Sequence, residues 1–297
     1  MIRLARLTTA FAVTALLIPT VTSTAAAQDA PLLFEIEGEK PSYIFGMFHR
    51  AFKETSELPA VVAEKLGGVD MILEENKQPD REKLQKYLMI PEGKTLKDVL
   101  PEDLYKEVEA RLQSKGFPIQ RMATYQPWVM AMQLVEFEFM QEMQQGIGQP
   151  ASLAKVIGNK PKEGLTDFEE SAGAFAGAEM PDQVQILRDV LGKLKEWDEA
   201  GVKPNTDWMK AYVSGDADKI YEVWKQDMTG ESDALNETLI NAGYGEQIER
   251  LAKRIAEKVK AGDKSYGVVV GCHLLGGPES LVKALEAEGL KIKRVGG

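Results

Sequence analysis

Apolar and polar residues are patterned so that β-strands are predicted near both ends of the chain. Each predicted strand is a short run rich in aliphatic and aromatic residues, bounded by Gly, Pro or charged positions. These runs are residues 32–36, 42–46, 69–74, 266–271 and 290–293. The first two flank a polar turn segment, as in a β-hairpin. Continuous apolar character at 268–270 is typical of a strand covered on both faces.

Between these strands, residues from about 79 to 260 carry an almost wholly helical pattern. Trp128, Met132, Val135 and Phe139 are spaced four, three and four residues apart, which predicts a buried helical stripe. Neither group of terminal strands is large enough to form a core alone. We therefore expect an α/β fold, with a central mixed β-sheet formed by the N- and C-terminal segments and a large helical insertion at about 79–260.

The first 27 residues have the pattern of a cleavable secretory signal peptide. Arg3 and Arg6 precede an apolar run at 7–17 that is too short to span a bilayer, and small residues occupy 25–27. This pattern predicts cleavage after Ala27, a mature domain at 28–297 without a transmembrane anchor, and a periplasmic or secreted location. An amphipathic or anchoring first helix is the alternative interpretation.

Composition narrows the classes of function. The 297 residues include 36 Lys and Arg against 46 Asp and Glu, a formal net charge of −10. This acidic balance argues against nucleic-acid binding, which needs a surplus of basic residues on one face. A single cysteine, Cys272, excludes an intramolecular disulfide framework and any multi-cysteine metal site. We expect it to be a small buried residue rather than a ligand or nucleophile.

The two histidines of the chain each follow a predicted strand in a glycine-containing turn. His49 follows the second strand and His273 the C-terminal one, while a third strand ends at Glu74 and Glu75. Open α/β sheets place binding groups just beyond the carboxyl ends of strands. Two imidazoles and a carboxylate are a common ligand set for a divalent metal. His49, Glu74 and His273 are thus the candidate ligands and catalytic groups, with Glu74 as ligand or general base and Glu75 as its alternative. The competing interpretation is that each histidine only forms hydrogen bonds at a strand end.

Several segments resemble the TraB/GumN family, which includes the Tiki metalloproteases. Residues 43–49, Tyr-Ile-Phe-Gly-Met-Phe-His, look like the GxxH signature of that family, and 269–276 look like its second histidine motif. Residues 70–74 are similar to its acidic strand. The resemblance implies an α/β fold shared with erythromycin-esterase-like and haem-binding relatives. It also implies a metal-dependent peptidase or hydrolase that uses Mn, Co or Zn, with His49, Glu74 and His273 as ligands.

The sequence also departs from the family pattern. Gly271 lies two residues before His273, where the family has three, and Val270 fills the usual glycine position. Thr166 and Ser171 stand where the family has an acid and an amide. The family has Arg-Asn near 241–244, where this chain has no arginine before Arg250.

Two functions therefore stay open. The first is an exported metal-dependent hydrolase or peptidase of the cell envelope, acting on a peptide or an envelope polymer. The second is a non-catalytic envelope protein on the same fold that binds haem, a metal or a polysaccharide. Arg50, next to His49, is expected to pair either with a substrate carboxylate or with Glu74.

Overall fold

Strands from the two ends of the chain lie side by side in one sheet. The structure is a computed structural model that describes residues 30–77, 80–142, 148–167, 169–170, 175–228, 236, 240 and 244–296. The strands are β1 (Leu33–Ile36), β2 (Ser42–Met47), β3 (Met71–Asn76), β4 (Lys162–Thr166), β5 (Tyr266–Gly271) and β6 (Ile292–Arg294). Their order in the sheet is β4-β3-β5-β2-β1-β6. This arrangement confirms the predicted α/β fold with a mixed central sheet.

The pairing of the strands sets which chain ends meet. β2 pairs in parallel with β5, Met47 opposite Gly271, and β5 pairs in parallel with β3, Glu74 opposite Val269. β4 is parallel to β3, whereas β1 is antiparallel to both β2 and β6. Parallel strands bring their carboxyl ends to the same edge of a sheet. The strand that contains Glu74 and the strands that precede His49 and His273 are therefore neighbours, as the sequence predicts.

Helices cover both faces of the sheet and form a separate cluster beside it. Those within the described residues are α1 (Ala60–Gly68), α2 (Arg81–Leu88), α3 (Leu96–Val99), α4 (Glu102–Ser114), α5 (Pro127–Glu142), α6 (Gln149–Ile157), α7 (Met180–Ala200), α8 (Pro204–Val213), α9 (Ala217–Met228), α10 (Glu246–Ala261) and α11 (Leu281–Ala287). Short 3₁₀ turns occupy Lys53–Thr55, Ile119–Arg121 and Cys272–Leu275.

The segment 79–260 is less uniformly helical than its pattern predicts, because β4 lies within it. Only Leu165 and Thr166 of this strand are buried. β4 pairs with β3 at the outer edge of the sheet, and an edge strand needs little apolar character. Its pattern therefore lacks the alternation that identifies a half-buried strand.

Two apolar cores enclose the sheet. Val268 and Val270 pack with residues of α8 to α11 on one face, and Val269 packs with α1 and α6 on the other. This confirms the two-sided coverage predicted for β5. A further core joins α4, α5 and α7 and includes Phe139, against which Met132 and Val135 pack. The predicted buried stripe of α5 is confirmed in part, because Trp128 is buried in a separate small cluster and Met132 and Val135 are only half-buried.

Residues 1–27, which carry the predicted signal peptide, lie outside the described part of the chain. Among the residues that are described, no helix has both the length and the apolar character needed to cross a membrane.

Candidate functional site

His49 and His273 lie together where β2 and β5 end. Each follows its strand by two residues, and the last residue pair of the two strands is Met47 opposite Gly271. Both histidines line the same two adjoining pockets. We call the larger one, about 580 Å³ and also lined by Arg50 and Trp208, the Arg50 pocket. The smaller one, about 390 Å³ and also lined by Glu74 and Glu75, is the Glu75 pocket.

The carboxylate of Glu75 is fixed beside His273. Its Oε2 accepts a hydrogen bond from the backbone N–H of Gly271 (2.9 Å), and its Oε1 accepts one from Nε2 of Gln247 (2.6 Å). A Cβ atom at Gly271 would lie 2.7 Å from Cε1 of His273 and 3.6 Å from Oε2 of Glu75. Only glycine therefore leaves room for the imidazole to fold back over the strand end towards this carboxylate.

Glu74 lines the same pocket but has a different partner. Its Oε1 lies 3.1 Å from Nζ of Lys162 on β4, and the two side chains are 37% and 42% exposed. Successive strand residues point to opposite faces of a sheet, and sequence alone cannot decide which of two adjacent glutamates faces the histidines. The hydrogen bonds next to His273 belong to Glu75.

The surroundings favour the neutral form of both imidazoles. Desolvation has the largest effect on His273 and lowers its pKa to about 4. The negative charge of Glu75 opposes this shift, and His49 adds to it. Desolvation also lowers the pKa of His49, where Glu75 opposes the shift and the positive charge of Arg50 adds to it. At neutral pH both side chains therefore carry a lone pair, as a metal ligand or a general base requires.

Two tryptophans that sequence reasoning does not assign to the site surround His273. The ring of Trp224, on α9, stacks on the imidazole with centroids 5.1 Å apart and planes at 21°. Trp208, on α8, lies 6.3 Å away, and its Nε1 donates to Oδ2 of Asp227 (2.8 Å). Both residues sit within helical patterns typical of core packing, so no local signal in the sequence distinguishes them.

The donor set fits a divalent metal in its chemistry. Two neutral imidazoles line one pocket with the carboxylate of Glu75. Its Oε2 accepts a hydrogen bond from Gly271, and its Oε1 accepts one from Gln247 and lies 3.5 Å from Nδ2 of Asn76. Across the described part of the chain, no three His, Cys, Asp or Glu side chains converge closely enough to hold an ion. His49 follows its strand in a loop and is exposed at the surface of the pocket.

The other residues singled out by sequence have structural partners. Cys272 is buried, and burial raises the pKa of its thiol to about 12, in accord with a packing role. The hydroxyl of Thr166 lies 2.6 Å from the backbone oxygen of Glu75. Arg250 contacts the backbone oxygen of Glu170 and the side chain of Glu246, away from the histidines. Ser171 and residues 241–243 lie outside the described residues.

The low pKa of His273 predicts how the stability of the protein depends on pH. An unfolded histidine titrates near 6.5, so between about pH 6.5 and pH 4 the unfolded chain binds more protons than the folded one. The free energy of unfolding should therefore fall as the pH drops through this window, by roughly 2 to 3 kcal/mol. Urea unfolding with a chelator present measures it. His273→Asn should flatten this dependence, and His49→Asn should flatten it less; an unchanged slope in His273→Asn would refute the assignment.

A known protein family matches nearly the whole length of the chain. The model of the TraB/PrgY/gumN family matches residues 32–294, which include all six strands and both histidines. Comparisons with curated proteins and with solved structures find no match. With a family match over nearly its whole length and the expected mixed sheet, the chain belongs to the TraB/PrgY/gumN family.

Proposed function

We propose that this protein is a metal-dependent hydrolase with peptidase-like activity, in which His49, His273 and Glu75 form the centre. The observation that carries the proposal is that two neutral imidazoles and a hydrogen-bonded carboxylate line the same pocket at one edge of the sheet. Perturbed titratable groups in a concave site are typical of catalytic centres. Glu74, which the sequence favours, is the alternative carboxylate.

Each group of the chain has a distinct role in this proposal. A divalent ion, Mn, Co or Zn, would be held by His49 and His273 with a glutamate, and would polarise a substrate carbonyl and make water more acidic. Glu75 is the general base, because its carboxylate is fixed by Gly271 and Gln247 and faces the histidines. Trp224 holds the His273 ring in one orientation by stacking.

The size of the Arg50 pocket suits a short peptide or a short segment of a polymer. Its volume of about 580 Å³ is within the usual range for ligand sites, and its wall includes Met47, Phe48 and Trp208. A few residues of a peptide, or a short segment of an envelope polymer, would fill such a space. For the cell-envelope location we rely on the signal-peptide pattern at 1–27, from which the mature chain would begin at Gln28.

Non-catalytic binding of haem, a metal or a polymer is the second candidate function. Residues 241–244 read Asn-Ala-Gly-Tyr, without the arginine that a hydrolytic centre could use to stabilise negative charge. Among the described residues that line the two pockets, Arg50 alone is an arginine. This departure favours a site that binds without turnover.

Metal content and hydrolysis, measured together, separate these functions. Mature protein incubated with Mn, Co or Zn and then desalted should retain about one ion per chain by elemental analysis. The His49→Ala/His273→Ala double variant should retain none, because it lacks both imidazoles. Glu163→Gln is the matched control, since its carboxylate pairs with Lys258 outside both pockets, and it should bind like the wild type.

The same samples are assayed on a panel of peptides and esters. Hydrolysis that requires both the metal and the histidines supports the enzyme. Metal binding without hydrolysis of any substrate favours the binding protein, and wild-type protein without bound metal contradicts the proposed centre.

A further inference from the structure

Arg50 and Glu136 are the charged side chains of the Arg50 pocket that the proposed hydrolytic chemistry does not use. Arg50 follows His49 directly, and its side chain is only 18% exposed. The central guanidinium carbon lies 3.4 Å from the ring centroid of Phe139 and 5.9 Å from that of Trp208. Stacking on an aromatic face fixes the plane of an arginine and leaves the N–H groups at its rim to point towards acceptors.

The aromatic support of Arg50 is itself rigid. Phe139 is buried in the helical core, and its backbone oxygen accepts a hydrogen bond from Nδ2 of Asn205 on α8 (2.8 Å). Trp208, also on α8, is held through its own hydrogen bond to Asp227. The guanidinium therefore has a fixed orientation in the pocket. Because it is already ordered, little conformational entropy is lost when a ligand binds to it.

A carboxylate already lies next to this guanidinium. Nη1 of Arg50 is 3.5 Å from Oε2 of Glu136, at the outer limit of a hydrogen bond, and the Glu136 side chain is 51% exposed. Ion pairs with a solvent-exposed partner are weak. A carboxylate from a ligand could thus replace Glu136 at little cost and form the planar two-point contact that arginine favours.

The rest of the pocket indicates what that ligand carries. Met47, Phe48 and Trp208 offer apolar surface, and His49 and His273 line the same cavity. One guanidinium beside Glu136, in a chain with a net charge of −10, suits a singly charged carboxylate better than a doubly charged phosphate. A ligand whose carboxylate reaches Arg50 would have its neighbouring bond beside the histidines.

We infer that Arg50 is a specificity residue that binds a carboxylate of the substrate, and that Glu136 competes with the substrate for it. The substrate class is then a short peptide or acylated amino acid with an apolar side chain and a carboxylate close to the bond to be cleaved. This inference rests on the proposed function for the cleavage itself but not for the binding.

Binding of matched peptides to the mature protein tests the inference. The probes are N-acetyl-Ala-Phe with a free carboxylate, its C-terminal amide, and N-acetyl-Glu-Phe amide, in which the only carboxylate is on a side chain. Affinities are measured by calorimetry and ligand-observed NMR, and chromatography of the same samples reports any hydrolysis. The wild type should bind the free acid about 10- to 100-fold more tightly than the amide, as expected for a charge-assisted pair of hydrogen bonds.

Variants separate recognition from folding. Arg50→Gln should remove the preference for the acid, and Arg50→Lys should restore only part of it, because lysine keeps the charge without the planar fork. Glu136→Gln should increase affinity for the acid about two- to five-fold, since the competing carboxylate is gone. Arg188→Gln removes a surface charge that pairs with Asp103, and it should change nothing.

The outcomes distinguish this inference from the proposed function. Acid preference that depends on Arg50, without hydrolysis of any probe, supports the inference and favours the binding protein over the enzyme. Hydrolysis of acid and amide at equal rates, with equal binding to wild type and Arg50→Gln, overturns the inference alone. Tight binding of N-acetyl-Glu-Phe amide supports the inference and shows that Arg50 binds the carboxylate of an acidic side chain. Stronger competition by inorganic phosphate than by acetate would overturn the choice of a carboxylate.

Discussion

Replacing Glu75 with glutamine should lower kcat/KM for peptide or ester hydrolysis by about 100-fold or more, whereas Glu74→Gln should change it by less than about five-fold. Glutamine keeps the size of the side chain and can still accept a hydrogen bond from Gly271, but it cannot take up a proton. Glu74 instead pairs with Lys162 in a contact that is more than a third exposed. The two variants thus change adjacent glutamates, of which Glu75 lies beside His273 and Glu74 pairs with Lys162.

Rates are measured with each metal at saturating concentration, so that a loss of metal affinity is separated from a loss of basicity. Urea unfolding of both variants checks that the fold is retained. A large loss in Glu74→Gln with a normal rate in Glu75→Gln would instead assign the role to Glu74, as the sequence pattern first suggests. Equal and small effects of both substitutions would contradict general-base catalysis by either glutamate.

Gly276→Ala should destabilise the protein by about 3 kcal/mol or more, the largest effect on stability that we expect from a single added methyl group. A Cβ atom at this position would overlap the carbonyl group of Ala217, at the start of α9, and lie 2.9 Å from the backbone nitrogen of Asp218. These are backbone atoms of a packed helix, so they cannot move aside as a flexible side chain could. The carbonyl of Gly276 also accepts a hydrogen bond from the buried Tyr244 hydroxyl.

Gly192→Ala provides the opposite control. Gly192 is an exposed residue within α7 with no atom within 4 Å of the added Cβ, so alanine should stabilise the protein by about 0.5 to 1 kcal/mol. Urea and thermal unfolding of both variants measure the difference. A Gly276→Ala protein as stable as the wild type would show that the loop after His273 is not packed against α9 as the structure has it.

The sheet and the neighbouring histidines are predictable from sequence because they depend on local patterns. Apolar runs at both ends of the chain predict strands, and neither group can form a core without the other. Parallel strands must end at one edge of the sheet, which places His49 and His273 together once the strands are identified. The resemblance of the two histidine segments to the TraB/GumN family is confirmed by the family match over 32–294.

The rest of the site depends on contacts between distant parts of the chain. Trp224 reaches His273 from a helix 49 positions earlier, and Phe139 reaches Arg50 from one 89 positions later. No spacing along the chain encodes such contacts. The choice between Glu74 and Glu75 depends on which of the two side chains points towards the histidines. The sequence pattern favours Glu74, whereas in the structure Glu75 accepts the hydrogen bond from Gly271.

The central place of β5 has a consequence for how the protein is made. β5 is the only described strand that connects β3 and β4 with β2, β1 and β6, and it lies more than 200 positions after β2 along the chain. Until the ribosome has added it, the N-terminal strands have no neighbour on one side, and their unpaired edges invite association with other chains. Folding of the sheet must therefore wait for the synthesis of β5 and proceed through contacts between residues more than 200 positions apart, which is slow.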